Sequence, residues 1–278
     1  LKKQAQKKSG NNPRNNFAQS LERRIFMTNI GIQISSVKKY LQTTADVLDS
    51  FKKCSKIGYK YIQIQWISAS VPNEAIRDAL LESGLECVGT QESYKEVFPN
   101  IEKYIKMNQM WGGKYICSSA TGMENTFSSV DECLNAAEQF NKMAERIKGE
   151  GLIFAFHPHN SHIVEIDGRT SLDIIMENTS DDVQLNLDMY HIKTSGNDPV
   201  EWLGKSAGRA DMTHFKDYKA EGSKTILCPV GQGVIEWTDI FKACGKTGVK
   251  YCFAEQEEWG KDAFECLEES YQYIKANL

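Results

Sequence analysis

No stretch of eighteen apolar residues occurs in this 278-residue chain, and its amino terminus carries no hydrophobic segment of the kind that directs export. Neither a membrane span nor secretion is indicated, so a cytoplasmic protein is expected. C-x-x-C pairs are absent as well. The eight cysteines, Cys54, Cys87, Cys117, Cys133, Cys228, Cys244, Cys252 and Cys266, are scattered without a regular framework. Reduced, mostly buried thiols are the natural reading, and a cysteine-rich zinc site is not expected. The chain also lacks an excess of positive charge, its formal net charge being -4. Without a basic field to hold a phosphate backbone, nucleic acid is not the expected partner, and a small neutral or polar molecule is easier to accommodate. Nor is there a strong glycine-rich phosphate loop. Gly231-Gln232-Gly233 is only a turn-rich segment able to cradle an anion.

A length of 278 residues with 41% apolar content suits one large domain with a substantial core. Residues 1–26 stand apart, carrying Lys2, Lys3, Lys7, Lys8, Arg14, Arg23 and Arg24 against the single acid Glu22. They read either as a basic arm or, because Met27 directly precedes the first strand, as an over-called start that is disordered in solution. The catalytic domain is expected over residues 27–278.

From Met27 onward, β-branched or aromatic runs alternate with helical patterns, the sequence form of repeated β-α units around a parallel sheet. Eight strands are expected, over Asn29–Ile34, Tyr59–Trp66, Leu85–Thr90, Lys114–Ser118, Leu152–His157, Val183–Asp188, Ala210–Lys216 and Val249–Glu255. Stripes such as Cys133, Ala137, Phe140, Ala144 and Ile147, or Phe264, Leu267, Tyr271 and Ile274, each line one helical face. Gly58, Gly84, Gly112, Gly151 and Gly248 stand where helices should turn back into strands. The fold class is therefore α/β, a single (β/α)8 TIM barrel. Three longer loops, 120–127, 159–169 and 219–234, follow strands and should lie on its active face.

His157, Asp188, His214 and Glu255 each close one of the last four expected strands, and such a barrel gathers strand carboxyl ends on one face. Two carboxylates with one or two imidazoles suit one divalent ion, Mn2+ foremost, with Co2+, Fe2+ or Zn2+ as alternatives. His157 and His159 share strand parity, and His162 follows on the loop, so three of the five histidines fall within six residues. An internal salt-bridge cluster is the competing explanation for the charged residues, and a hydrogen-bonded structural role is the competing one for each histidine.

Taken together, Ile30-Gly31-Ile32-Gln33, Gly84-Leu85-Glu86-Cys87-Val88-Gly89-Thr90, Phe156-His157-Pro158-His159, Leu187-Asp188-Met189-Tyr190-His191, His214-Phe215-Lys216-Asp217, Val230 to Trp237 and Ala254-Glu255-Gln256-Glu257 carry a resemblance. The chain resembles the sugar phosphate isomerase/epimerase family, the xylose isomerase-like TIM barrels, from about Asn29 to the carboxyl terminus. That resemblance implies one divalent metal held by Glu, Asp, His and Glu from strands five to eight. Asp188, His214 and Glu255 match the last three. The strand-five position carries His157 instead, as in members with a His-x-His motif, which leaves open whether His157 or His159 meets the metal. His191 resembles the family's substrate-contacting histidine.

The expected activity is isomerisation or epimerisation of a keto-sugar or related polyol, through an enediolate formed by proton abstraction beside a carbonyl. Glu255 would be ligand and proton carrier, with His157 or His159 as the second acid-base group. The alternative is a metal-dependent lyase or dehydratase acting on a keto-sugar, 3-keto-glycoside or keto-inositol, because the same enediolate can expel a β-substituent. Expected substrate contacts are His191, Lys216, His162, Gln33 and Trp66, with Gln63 and Trp259 nearby. Lys216 can steady negative charge on an oxygen, or simply pair with Asp217 or Glu255. A homo-oligomer is compatible with all of this. The endonucleases for abasic DNA share the barrel but have a richer ligand set for three metals. A non-catalytic sugar-binding barrel would not need ligand candidates on four successive strands.

Overall fold

The β-branched and aromatic runs fold as eight strands: β1 (Asn29–Gln33), β2 (Tyr61–Ile64), β3 (Glu86–Ser93), β4 (Tyr115–Ser119), β5 (Ile153–His157), β6 (Val183–Asp188), β7 (Met212–Phe215) and β8 (Tyr251–Ala254). They belong to a computed structural model that describes residues 28–121, 123, 127–222 and 224–278. The extension expected over residues 1–26 lies outside the described residues. Each strand pairs in parallel with the next, and β8 pairs with β1, so the sheet closes into a barrel without free edges. Observed strand limits fall within three residues of the expected ones, the largest difference being β3, which runs on from Thr90 to Ser93.

Helices wrap the outside because their apolar stripes have only the barrel to pack on. In the helix Val130–Lys148 the Ser129 side chain accepts from the Glu132 amide, and the expected stripe is buried together with Ala136 and Met143. Phe140 meets Phe154 and Phe156 of β5 at centroid distances of 5.6 and 4.5 Å. Truncating such a buried ring costs about 3–5 kcal/mol, so Phe140→Ala would undo this docking. In the helix Ala263–Asn277, Leu267 and Ile274 are buried as expected, but Ala263, Cys266 and Ser270 complete the face. Phe264 and Tyr271 instead flank it, packed on Tyr40 and Tyr59. Gly58, Gly84, Gly112 and Gly248 take positive φ at the helix stops read from the sequence, and Gly151 takes it two residues past Gly149, which ends its helix.

Alternation along the strands sends every second side chain toward the barrel axis. Val88, Tyr115, Cys117, Ala155, Met212 and Phe253 make an apolar inner layer. Nearer the carboxyl ends of the strands the inward positions turn polar, with Gln33, Gln63, Gln91, Asn186 and His214 all buried. His157, Asp188, Lys216 and Glu255 follow at the carboxyl ends. The interior is thus apolar below and charged above, and the charged end is the mouth.

Two of the expected loops contain strands. Within 219–234 the chain pairs as an antiparallel hairpin, Asp217–Glu221 with Lys224–Cys228, and within 159–169 a two-residue ladder joins Glu165–Ile166 to Arg169–Thr170. Residues 120–127 are described only in part. All eight cysteines are buried and none is in a disulfide. Among the described residues, no helix is long and apolar enough to cross a membrane.

Candidate metal centre

Strand register brings the candidate ligands together. Asp188 and His214 are direct partners across β6 and β7, while the Glu255 amide donates to the Phe215 carbonyl at 3.1 Å, placing Glu255 beside Lys216. One ligand atom each from His157, Asp188 and His214 lie within 4.8 Å of one another. Glu255 Oε2 stands 2.8 Å from His214 Nδ1. None of the four side chains has more than a sliver of surface.

Each of these residues has one polar atom tied back into the protein. His157 Nδ1 meets the Asn186 carbonyl at 2.9 Å, so it carries the proton and leaves Nε2 with a lone pair. His214 Nε2 donates to Gln63 Oε1 at 2.7 Å, which leaves Nδ1. Asp188 Oδ1 accepts from the amides of Tyr190 and His191, capping the helix Met189–Thr194 and leaving Oδ2. Glu255 Oε1 accepts from Ser35 Oγ at 3.4 Å, leaving Oε2. Asp188 Oδ2, His214 Nδ1 and Glu255 Oε2 are buried and face one another and the Lys216 ammonium, which stands 3.4 Å from the first and 3.1 Å from the last. A ring nitrogen tethered to the protein behind one left toward the cluster is the pattern of metal-binding histidines. His157, Asp188 and His214 fit a cation held by two nitrogens and one oxygen, with Glu255 Oε2 beside His214 Nδ1 as the candidate fourth donor.

Charge points the same way. The Lys216 ammonium reaches Glu257 at 2.8 Å, Glu255 at 3.1 Å and Asp188 at 3.4 Å. Three carboxylates against one ammonium leave a formal -2 in a buried site, the charge a divalent ion neutralises. Burial works against the Lys216 charge, but Glu255, Asp188 and Glu257 outweigh it and hold its pKa well above the ordinary value. Burial likewise works against the Glu255 charge, and Lys216 and His214 overcome it, keeping that carboxyl well below the usual range. Burial raises the Asp188 and Glu257 carboxyls instead. The internal salt-bridge cluster considered for these residues is therefore present, with three carboxyl groups around one ammonium.

A cavity of about 400 Å³ opens above the cluster, lined among others by Trp66, His157, His159, His191, Lys216 and Glu255. His159 lies 3.4 Å from Thr121 Oγ1 through Nδ1, and burial, aided by Lys216, pushes its pKa down to about 4. His191 lies against His159, with ring centroids 4.6 Å apart. Trp66 stands 44% exposed with Lys38 over its ring. His162 is not among the lining residues; it stands behind His159, its Nδ1 3.0 Å from Ser161 Oγ. Gln33 calls for a correction. It has no exposed surface and donates to Gln63 Oε1 at 2.8 Å, so it backs the His214 tether and does not meet sugar hydroxyls. Trp259 donates to the Ser36 carbonyl and packs on the core. Lys216 lines the cavity as expected of a substrate contact, and of the competing pairings with Asp217 or Glu255 the Glu255 pair is present, while Asp217 turns away to its own loop. Glu257 was not anticipated, although its parity with Glu255 was a usable signal.

A family model for the xylose isomerase-like TIM barrel matches residues 51–275. The chain belongs to that family. The inosose dehydratase of Clostridium beijerinckii is 27% identical over 260 residues, covering 80% of this chain and 84% of that enzyme. The inosose dehydratase of Serratia proteamaculans is 28% identical over 174 residues, 55% of this chain, and the match spans only 57% of that relative. A sugar phosphate isomerase/epimerase from Parabacteroides distasonis shares the fold, with a TM-score of 0.71 at 23% identity over 89% of this chain and 97% of that one. This chain presents His157 where the resemblance implied a glutamate.

Proposed function

We propose that the protein is a divalent-metal-dependent carbon–oxygen lyase that removes water from a keto-inositol or related keto-sugar. The observation that carries this reading is the unlike pair of proton-handling groups in one cavity: a neutral imidazole, His159, and an ammonium, Lys216. Dehydration needs one group that takes a proton from carbon and another that gives a proton to oxygen, whereas epimerisation needs two groups that both serve the same carbon. The dehydratases among the relatives are consistent with it.

His157, Asp188, His214 and Glu255 would hold the ion, which when bound supplies Lewis acidity toward a ketone oxygen, worth several kcal/mol of barrier. Mn2+ suits the mixed donor set, as do Co2+, Fe2+ and Zn2+. His159, with Nδ1 engaged by Thr121, takes the proton from the carbon beside the ketone on Nε2. Lys216 Nζ, held by Glu257, gives a proton to the hydroxyl on the next carbon. The carbon–oxygen bond breaks, a carbon–carbon double bond forms, and water leaves. Trp66 offers a flat wall for the apolar face of a ring.

The isomerase or epimerase reading, placed first from the sequence, used Glu255 with His157 or His159 as its two acid-base groups. Glu257 and Glu258 also line the cavity outside the proposed ligand set, and Glu257 Oε1 is engaged by Lys216 at 2.8 Å. The test is NMR of the Mn2+-loaded protein with a 2-keto-inositol and a 3-keto-glycoside in deuterated water. An unsaturated ketone is expected; deuterium entering recovered substrate or an epimer, without unsaturated product, would move the assignment to isomerase.

A further inference from the structure

A second group of nitrogens adjoins the candidate centre. One ring nitrogen from each of His157, His159 and His191 lies within 4.8 Å of the other two. Ring centroids stand 5.0 Å apart for His157 and His159, 5.9 Å for His157 and His191, and 4.6 Å for His159 and His191. His191 Nδ1 is buried and has no hydrogen-bond partner, and its Nε2 is 3.8 Å from Asp188 Oδ2, beyond hydrogen-bond reach. A buried imidazole nitrogen with nothing to bond needs a partner that the protein does not provide.

His157 links the two groups. Its Nδ1 is committed to the Asn186 carbonyl, so it has a single nitrogen to offer, and both clusters include it. The two donor sets differ in kind. Around Asp188, His214 and Glu255 the set is mixed oxygen and nitrogen; around His159 and His191 it is nitrogen alone. Carboxylate oxygens favour ions such as Mn2+, while imidazole sets favour Ni2+, Cu2+ and Zn2+.

We propose that His157, His159 and His191 form a nitrogen-only site for Ni2+, Cu2+ or Zn2+, mutually exclusive with the mixed centre because both require the one free nitrogen of His157. The identity of the ion then selects its position. An ion on the three histidines stands in the cavity that His159 and His191 line, where it blocks entry and occupies His159. This inference rests on the histidine positions and on the mixed centre described above, not on the lyase reading, whose failure would leave it intact.

The experiment is equilibrium dialysis of the chelator-stripped full chain against Mn2+ and Ni2+ separately and together, with circular dichroism melts to confirm folding. Wild type is expected to hold one ion in total. The variant Asp188→Asn/Glu255→Gln should lose Mn2+ yet keep one Ni2+, and adding His159→Ala or His191→Ala should abolish that binding. His191→Ala alone should weaken Ni2+ by at least the ~10–100-fold typical of a lost metal-site partner while leaving Mn2+ nearly unchanged. Simultaneous binding of both ions by wild type would overturn the proposal. So would loss of Ni2+ from the folded Asp188/Glu255 variant, or an equal effect of His191→Ala on both ions. If the double variant does not fold, the His191→Ala comparison decides.

Discussion

The Trp66 amide donates to the Glu92 carboxylate at 3.1 Å while Trp66 itself sits at φ +56°, in the left-handed region. A bulky residue rarely adopts that conformation, and strain of this kind persists only where the surroundings hold it. Burial pushes the Glu92 carboxyl up to about 7, against the Trp66 amide, which lowers it. A carboxyl raised above its unfolded value near 4.5 favours the folded state when protonated. Its contribution is complete below that value and is lost as pH rises through about 7. The melting temperature of Glu92→Gln should therefore gain on wild type between pH 5 and pH 8. A difference independent of pH would show that burial does not govern this carboxyl.

Asp217 is the hub of the loop that follows β7. Its carboxylate accepts from the amides of Tyr218, Gly231, Gly233 and Ile235 and from the Trp237 indole. Hydrogen bonds to a charged acceptor contribute about 1.5–3 kcal/mol each, and buried donors left behind add their own penalty. Asp217→Ala should therefore cost about 3 kcal/mol or more in urea denaturation. Gly233→Ala should act in the same direction, because an added methyl would meet Asp217 Oδ1 at 2.1 Å. Unchanged stability in both variants would contradict this account of the loop.

These two carboxylates also mark where the sequence became hard to read. Strands announce themselves through apolar runs, and β6 matches its expected limits at both ends because all six of its residues are buried. The hairpin from Asp217 to Cys228 gives no such signal, since most of its side chains face solvent and its alternation carries no hydrophobic contrast. Gly231-Gln232-Gly233 was read as a turn able to cradle an anion, and it does cradle one, the chain's own Asp217. Asp188, His214 and Glu255 were expected together from their places at strand ends and from the resemblance, and the strand register brings them side by side. The tethers behind them were not legible, because Gln63 and Asn186 acquire meaning only once the register of distant strands is known. Gln33 was misplaced for the same reason: its partner across β1 and β2 is Gln63, and that pairing turns it inward.

Lys216 should report on metal binding through stability. With no cation present its ammonium is what opposes the charges of Asp188, Glu255 and Glu257. Removing one member of a buried ionic cluster costs about 3–5 kcal/mol, because the remaining charges go uncompensated. Lys216→Met should lose about that much in chelator, and less with Mn2+ present, since an ion bound only by the folded state restores stability by mass action. Equal losses in both conditions would mean that Lys216 and the ion do not share the same carboxylates.

Gln63 carries the most direct test of the centre that leaves every proposed ligand in place. Its Oε1 accepts from Gln33 and from His214 Nε2, and this contact favours the tautomer that leaves Nδ1 with a lone pair, against Asn186 Nδ2, which stands 2.9 Å from the same Nε2. Without that acceptor the ring is free to exchange tautomers, and for part of the time Nδ1 bears the proton and cannot bind a cation. Gln63→Leu keeps the volume and removes the acceptor. Outer-shell partners of metal-bound histidines are worth roughly 10–100-fold in affinity, and a loss of that size is expected when Mn2+ is titrated into the stripped variant. Gln63→Glu retains an acceptor at the same place and should recover most of the affinity. If Gln63→Leu bound Mn2+ as wild type does while folded, His214 would not be a ligand through Nδ1, and the cation would have to rest on the other three side chains.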